Sequence, residues 1–351
     1  MLVQLENNVL IGGKRLGESV LIIAEAGVNH NGSLKRALKM VDEAALTGAD
    51  AVKFQAFVTE SLVSGRAPKA DYQKKRGQGR TQRDMLKSLE LSSQDFAAID
   101  ERARRRGIIL LSSAFDEESA DLLEDLGVSA YKMGSGELTN IPLLEHVAKK
   151  GKPVLLSTGM ATLDEIQEAV TAIRTQGNHQ IVLLHCVSSY PSRPRDSNLR
   201  AMKLLRERFG LPVGFSDHTE GVEVALAAAA LGATIIEKHF TLSRKLPGPD
   251  QKASLEPAEF RAMVQGIRVV EQALGKPVKE PTPEELKMRL IARRSLVASM
   301  NIPKDQVITR QMVAIKRPGT GIPPKEIGNM IGKRATRNIR RDQVLRWDMV
   351  D

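Results

Sequence analysis

The sequence predicts an α/β protein: a closed (β/α)8 TIM barrel with an N-terminal β-hairpin, followed by a small C-terminal domain. Three observations lead there. Eight short apolar runs, LIIAEAG, AVKFQAF, IILLSSAF, AYKMGSGE, PVLLSTG, IVLLHCVSS, PVGFSDH and ATIIEKHF, recur between residues 21 and 240. Continuous apolar runs of this length are parallel strands covered on both faces. Each is followed by a segment of helical period, and eight such units within about 260 residues have the length of this barrel. A doubly wound open sheet is the competing fold. It needs fewer units and usually opens on a Gly-rich turn that is absent here.

The elements follow in order. Residues 2–17 read as a hairpin turning at Gly12-Gly13, placed to cap the bottom of the barrel. Helical segments fall at 33–47, 93–106, 116–126, 141–149, 162–175, 197–208, 220–230 and 256–274. Ser33, Ser92 or Ser93, and Thr162 with Glu165 are their caps. One connection breaks the rhythm. Residues 58–91 separate the second strand from its helix by far more than two to six residues, as lids and binding loops do. Its stretch KKRGQGRTQR reads as mobile when no ligand is bound, and a second long loop, SRKLPGPDQKASLEP, follows the eighth strand. The barrel is bounded at 1–274. Residues 275–287, rich in proline and mixed charge, read as a linker, and 288–351 as a small domain with strand-like pieces SLVAS, QVITR and MVAIK.

Composition bounds the function. No apolar run is long enough to span a bilayer, and the first residues lack a signal peptide's basic start and apolar core, so a cytoplasmic location with no membrane partner is expected. The single Cys186 excludes an intramolecular disulfide and a cysteine-built zinc site. The net charge of +10 is concentrated at one end. Residues 286–351 hold 15 Lys and Arg against 5 Asp and Glu, which leaves 37 of each sign in the remainder. Such a tail can bind nucleic acid, steer an anionic substrate, or simply be solvated. Aromatic content of 3% leaves few stacking platforms for bases, so no nucleic-acid partner is expected.

Chemistry concentrates at the strand ends, where such barrels keep their active sites. His218 and His239 end the seventh and eighth strands, neighbours whose imidazoles can reach one point at the mouth; with a carboxylate and water they suit a divalent metal. The alternative is a pair satisfied by Asp217 and Glu237. Lys53 and Lys132 share the rim with Ser113, Ser135, Ser157, Ser188 and Ser216, a set that suits a phosphorylated, carboxylated ligand. Glu25 and Glu137 offer two carboxylates for acid–base work if their environments separate their pKa values. Otherwise each neutralises a lysine.

In this order, IAEAGVNHNGS, AVKFQAF, YKMGSGELTN, LSTGM, HCVSSYP, GFSDHT, IEKHF and GPDQKASLEP resemble the sialic acid synthase family over about residues 20–257. KRPGTGI, IGKRATRNI and VLRWDM resemble its C-terminal antifreeze-like (SAF, β-clip) domain. The resemblance implies a cytoplasmic N-acetylneuraminate synthase, an enzyme that joins phosphoenolpyruvate to open-chain N-acetylmannosamine and releases phosphate by C–O cleavage. It implies manganese or magnesium at His218 and His239. It assigns phosphoenolpyruvate to Lys53, Lys132, Ser135, Ser157 and Ser216, with Ser188 standing where some members have asparagine. It sets Gln55, Tyr190 and Asp250 near the sugar. It also implies a domain-swapped homodimer in which Arg317 enters the partner subunit's site. The alternative acceptor is 2,4-diacetamido-2,4,6-trideoxymannose, which would make the chain an N,N'-diacetyllegionaminate synthase. A pseudaminate synthase usually differs in the GPDQKASLEP loop, octulosonate-phosphate enzymes grip a second phosphate, and an inactive scaffold would not keep every candidate ligand.

Overall fold

In a computed structural model, residues 9–69, 74 and 79–351 are described. Residues 2–8 of the expected hairpin and part of the KKRGQGRTQR stretch lie outside them. The chain divides into two compact units, Met1–Gly275 and Lys276–Asp351.

The first unit begins with a hairpin of β1 (Leu10–Ile11) and β2 (Lys14–Arg15). Gly12 and Gly13 both have positive φ, +55° and +82°, the conformation that a two-residue turn needs to match strand twist. Eight parallel strands then close into a barrel: β3 (Leu21–Gly27), β4 (Ala51–Ala56), β5 (Ile109–Ala114), β6 (Tyr131–Met133), β7 (Val154–Ser157), β8 (Ile181–Cys186), β9 (Val213–Asp217) and β10 (Ile235–His239). β10 pairs with β3 to shut the ring, bringing His239 opposite Glu25.

Helices cover the outside, and their starts follow the predicted caps. Ser33 accepts from Arg36, and Ser92 with Asp95 and Thr162 with Glu165 form capping boxes. The 58–91 connection carries short helices of its own, among them Thr59–Leu62 and Gln82–Lys87.

Strand alternation divides the core in two. Outward residues such as Ile22, Val52, Leu156 and Ile236 join the helices in the larger apolar cluster. Inward residues Leu21, Ile23, Ala51, Leu111, Leu155, Leu184 and Ile235 fill the lower barrel, together with Val9 and Ile11 from the hairpin. The hairpin therefore plugs the N-terminal end with hydrocarbon. One step up each strand the inward residues turn polar: Glu25, Lys53, Ser113, Lys132, Ser157, Ser216 and Glu237 are all buried.

The second unit has its own core of Leu296, Ile302, Ile308, Val313, Ile322, Met330, Ile339 and Leu345. β11 (Ser295–Ala298) pairs antiparallel with β12 (Val313–Lys316), while QVITR contributes only an isolated bridge at Val307 instead of a strand. A helix, Pro283–Ala292, starts inside the stretch read as a linker, because Thr282 and Glu285 form a capping box ahead of a proline.

Candidate active site

Above the apolar half of the barrel lies a cleft of about 530 Å³ lined by residues from all eight strand ends and their loops. Glu25, Lys53, Gln55, Ser113, Lys132, Ser135, Ser157, Ser188, Tyr190, Ser216, His218, His239 and Asp250 all line it. Its centre is a charge quartet. The Lys53 ammonium lies 2.6 Å from Glu25 and 3.7 Å from Glu237, and donates to the Ser113 hydroxyl at 3.0 Å. Lys132 lies 4.0 Å from Glu237, which also accepts from Ser216 at 2.8 Å.

Two ammoniums and two carboxylates balance, but they do not share equally. Burial would raise the Glu237 carboxyl, yet Lys132 and Lys53 hold it down at about 2. Burial pushes Glu25 up, and the neighbouring charge of Glu237 adds to this against Lys53. Lys132 is lowered by burial, while burial of Lys53 is outweighed by its two carboxylates, which raise it. An arriving dianion would meet two lysines held in place by carboxylates, with charge-assisted donors already aimed inward.

A cradle adjoins the lysines. The Ser135 hydroxyl accepts from the Gly159 amide at 3.1 Å and lies 3.1 Å from the Cys186 sulfur. A Cβ on Gly159 would come within 2.8 Å of both and closer still to the Ser188 hydroxyl, so only glycine leaves this concavity open. The buried Ser157 hydroxyl has no partner among the described residues, and a buried hydroxyl left so is a place for a ligand.

On the other side the His218 and His239 rings lie 5.3 Å apart, with Tyr190 4.2 Å from the first and 5.7 Å from the second. His218 Nδ1 meets the Val187 carbonyl at 2.8 Å. A carbonyl only accepts, so Nδ1 carries the proton and Nε2 keeps its lone pair, the arrangement of a metal-binding imidazole. Buried His239 Nδ1 has no partner among the described residues, and burial lowers the pKa of both rings, keeping them neutral. No group of three His, Cys, Asp or Glu converges among the described residues. Two neutral imidazoles with open positions for water and substrate oxygens still fit a catalytic divalent cation. The alternative pairing fails, since Asp217 is bonded to Lys238 and Thr219, and Glu237 to Ser216.

Asp250 lies in the loop after β10. Burial and the charge of Glu25 raise its carboxyl to about 7. Gln55 donates to Glu25 at 3.0 Å. The mouth is apolar on one side, where Val28, Met85, Leu86, Leu89 and Phe115 line the cleft and pack with Phe57.

One expected residue stands outside the lining of the cleft. Glu137 does not line the cleft; the chain winds into a short 3-10 helix, Ser135–Glu137, and its carboxylate accepts from Asn140 at 2.8 Å. Arg317 is exposed in the second unit. The carboxylate that sequence reasoning undervalued is Glu237. The signal was present in IIEKHF: two residues before His239 on the same strand is the same face, so it had to point inward.

Residues 40–279 match the NeuB family and residues 293–351 the SAF domain. The chain is 44% identical over 352 residues, 98% of this chain and 99% of the other, to a protein of Legionella pneumophila named N,N'-diacetyllegionaminic acid synthase. A Campylobacter jejuni protein of the same name is 44% identical over 332 residues, covering 94% of this chain and 99% of its own. The solved N-acetylneuraminic acid synthetase of Leptospira borgpetersenii, in complex with citrate, superposes with a TM-score of 0.71 at 36% identity, over 80% of this chain and 95% of that one. The chain belongs to the NeuB family, the phosphoenolpyruvate-dependent transferases of sialic acid synthase type, and ends in a SAF domain.

Proposed function

We propose that the protein is an N,N'-diacetyllegionaminate synthase, condensing phosphoenolpyruvate with open-chain 2,4-diacetamido-2,4,6-trideoxymannose and water. The observation that carries this reading is a cleft with a charged floor and an apolar wall at its mouth. The floor suits a small dianion. A six-carbon acceptor whose aldehyde must meet that anion extends toward the mouth, where Met85, Leu86, Leu89 and Phe115 favour a terminal methyl over a hydroxymethyl group. Both 44% relatives bear the corresponding name, which moves N-acetylmannosamine, expected first from the sequence, to second place.

Lys53 and Lys132, with Ser113, Ser135, Ser157, Ser188 and Ser216, hold the phosphate and carboxylate of phosphoenolpyruvate. Gln55, Tyr190 and Asp250 orient the sugar. A divalent ion held by His218 and His239, manganese or magnesium, supplies Lewis-acid polarisation of the aldehyde. The C2–C3 π pair of phosphoenolpyruvate forms the new C–C bond. The electron deficiency left at C2 faces Glu25 and Glu237, whose charge stabilises it. Water adds at C2 as Glu25 takes its proton, and Asp250, neutral up to about pH 7, supplies a proton to the nascent alkoxide. C–O cleavage then releases phosphate and leaves the 2-keto acid. Glu137, held by Asn140 outside the cleft, has no part in this scheme.

We read the basic tail as a field that draws anionic substrates, and Arg317 as a residue that completes the site of a second copy in a domain-swapped homodimer. Incubation with phosphoenolpyruvate, Mn2+ and each acceptor in turn, with the products weighed by mass spectrometry, tests the function. A product from N-acetylmannosamine alone, or from neither sugar, refutes it. A monomer by light scattering with full activity refutes the dimer.

A further inference from the structure

The layer between barrel strands and helices is largely apolar, and behind the two histidines it holds a buried ion pair. Asp217 and Lys238 are register partners on β9 and β10, their side chains are wholly buried, and they lie 2.7 Å apart. Alternation turns them outward, away from the cleft that His218 and His239 line. The pair does not stand alone. Lys238 Nζ donates to the Thr219 carbonyl at 2.5 Å, and Asp217 Oδ1 accepts from the Thr219 amide at 2.8 Å and its hydroxyl at 2.7 Å. The residues immediately before and after His218 are thus tied to each other and to the residue immediately before His239.

An ion pair is an expensive filling for an apolar layer, since packed hydrocarbon of the same volume is often neutral or better for stability. Among the described residues, the other fully buried ion pairs are those of Lys53 and Lys132, and all face the cleft. The placement of this one, behind the paired imidazoles, asks for a reason other than stability.

We propose that the Asp217–Lys238 pair is a positioning device that fixes, from behind the barrel wall, the separation of His218 and His239 needed to hold one divalent cation. It rests on the reading of those histidines as cation ligands, and it assigns to Asp217, Thr219 and Lys238 the task of keeping two adjacent strand ends in step. Outer partners that orient metal ligands typically carry 10- to 100-fold in affinity.

The test is the double variant Asp217→Asn/Lys238→Met. Asparagine still accepts from Thr219 and methionine replaces the lysine stem, so only the tie across the strands is lost. Mn2+ alone, titrated calorimetrically into the full chain, is expected to bind about 10- to 100-fold more weakly than in the wild type. Binding of phosphoenolpyruvate without metal is expected to stay within about twofold, because Lys53, Lys132 and the serines are untouched. Lys238→Arg, which keeps charge and donors on a longer side chain, is the second variant should the first not fold, and a several-fold loss of Mn2+ affinity is expected there too. Unchanged Mn2+ affinity in a folded variant overturns the proposal, as does a parallel fall in phosphoenolpyruvate binding, the mark of general loosening. A wild type that binds no Mn2+, or Mn2+ binding that survives His218→Ala, removes the histidine reading itself and the proposal with it.

Discussion

The Lys53 ammonium rests 2.6 Å from the Glu25 carboxylate, each only 2% exposed, so a charge on the cleft floor is paired before any substrate arrives. Lys53→Met breaks that pair and leaves Glu25 and Glu237 to share Lys132. The expected result is a fall in kcat/KM for phosphoenolpyruvate of roughly 10³, read from phosphate release, together with a loss of stability of about 3 kcal/mol in urea melts.

Gly159→Ala places a methyl group where Ser135, Cys186 and Ser188 converge. Overpacking of this kind costs about 1–3 kcal/mol. The same atoms frame the proposed phosphate site, so the dissociation constant for phosphoenolpyruvate is expected to rise at least about tenfold in calorimetry. Unaltered binding would place the phosphate elsewhere.

Asp250 makes a pH prediction with a definite sign. Its folded-state pKa of about 7 lies above the ordinary 3.8, so the folded chain binds the extra proton between those values. Stability is then fully present below about pH 4 and lost as pH rises through 7. Asp250→Asn removes that slope, and stabilisation on the order of 3 kcal/mol at pH 8 is expected relative to wild type, shrinking toward pH 4. Urea unfolding at several pH values measures it; parallel curves for the two proteins would refute it.

Leu89→Ser wets the apolar side of the mouth. The ratio of kcat/KM for the 6-deoxy acceptor over N-acetylmannosamine is expected to drop about tenfold, the usual scale for one hydrocarbon contact. An unchanged ratio in an active enzyme means the wall does not select the acceptor.

Below the cleft, Ile11→Ala empties part of the hairpin plug. A loss of about 2–4 kcal/mol is expected with little change in kcat, because Ile11 belongs to the apolar cluster of Leu21 and Ile23 and does not line the cleft.

The barrel was legible because eight apolar runs and their caps obey local rules, and local rules survive into tertiary structure when each strand is covered on both faces. The site was legible where period-two alternation settles direction: Lys53, Lys132, Ser157, Ser216, His218 and His239 all arrive in one cleft. Glu137 was misplaced because it follows the end of β6, where a 3-10 turn replaces alternation. Lys238 passed unnoticed beside His239, since a buried outward lysine announces itself only through Asp217, 21 residues away. The helix within residues 58–91 that carries Met85 and Leu86 was hidden in a stretch too polar to show a period.

The hydrocarbon plug of Val9 and Ile11 has a kinetic corollary. A chamber sealed at its base fills and empties through one opening. On the proposed reading, phosphoenolpyruvate held by Lys132 and Ser157 on the floor has to be loaded before the sugar that lies nearer the mouth.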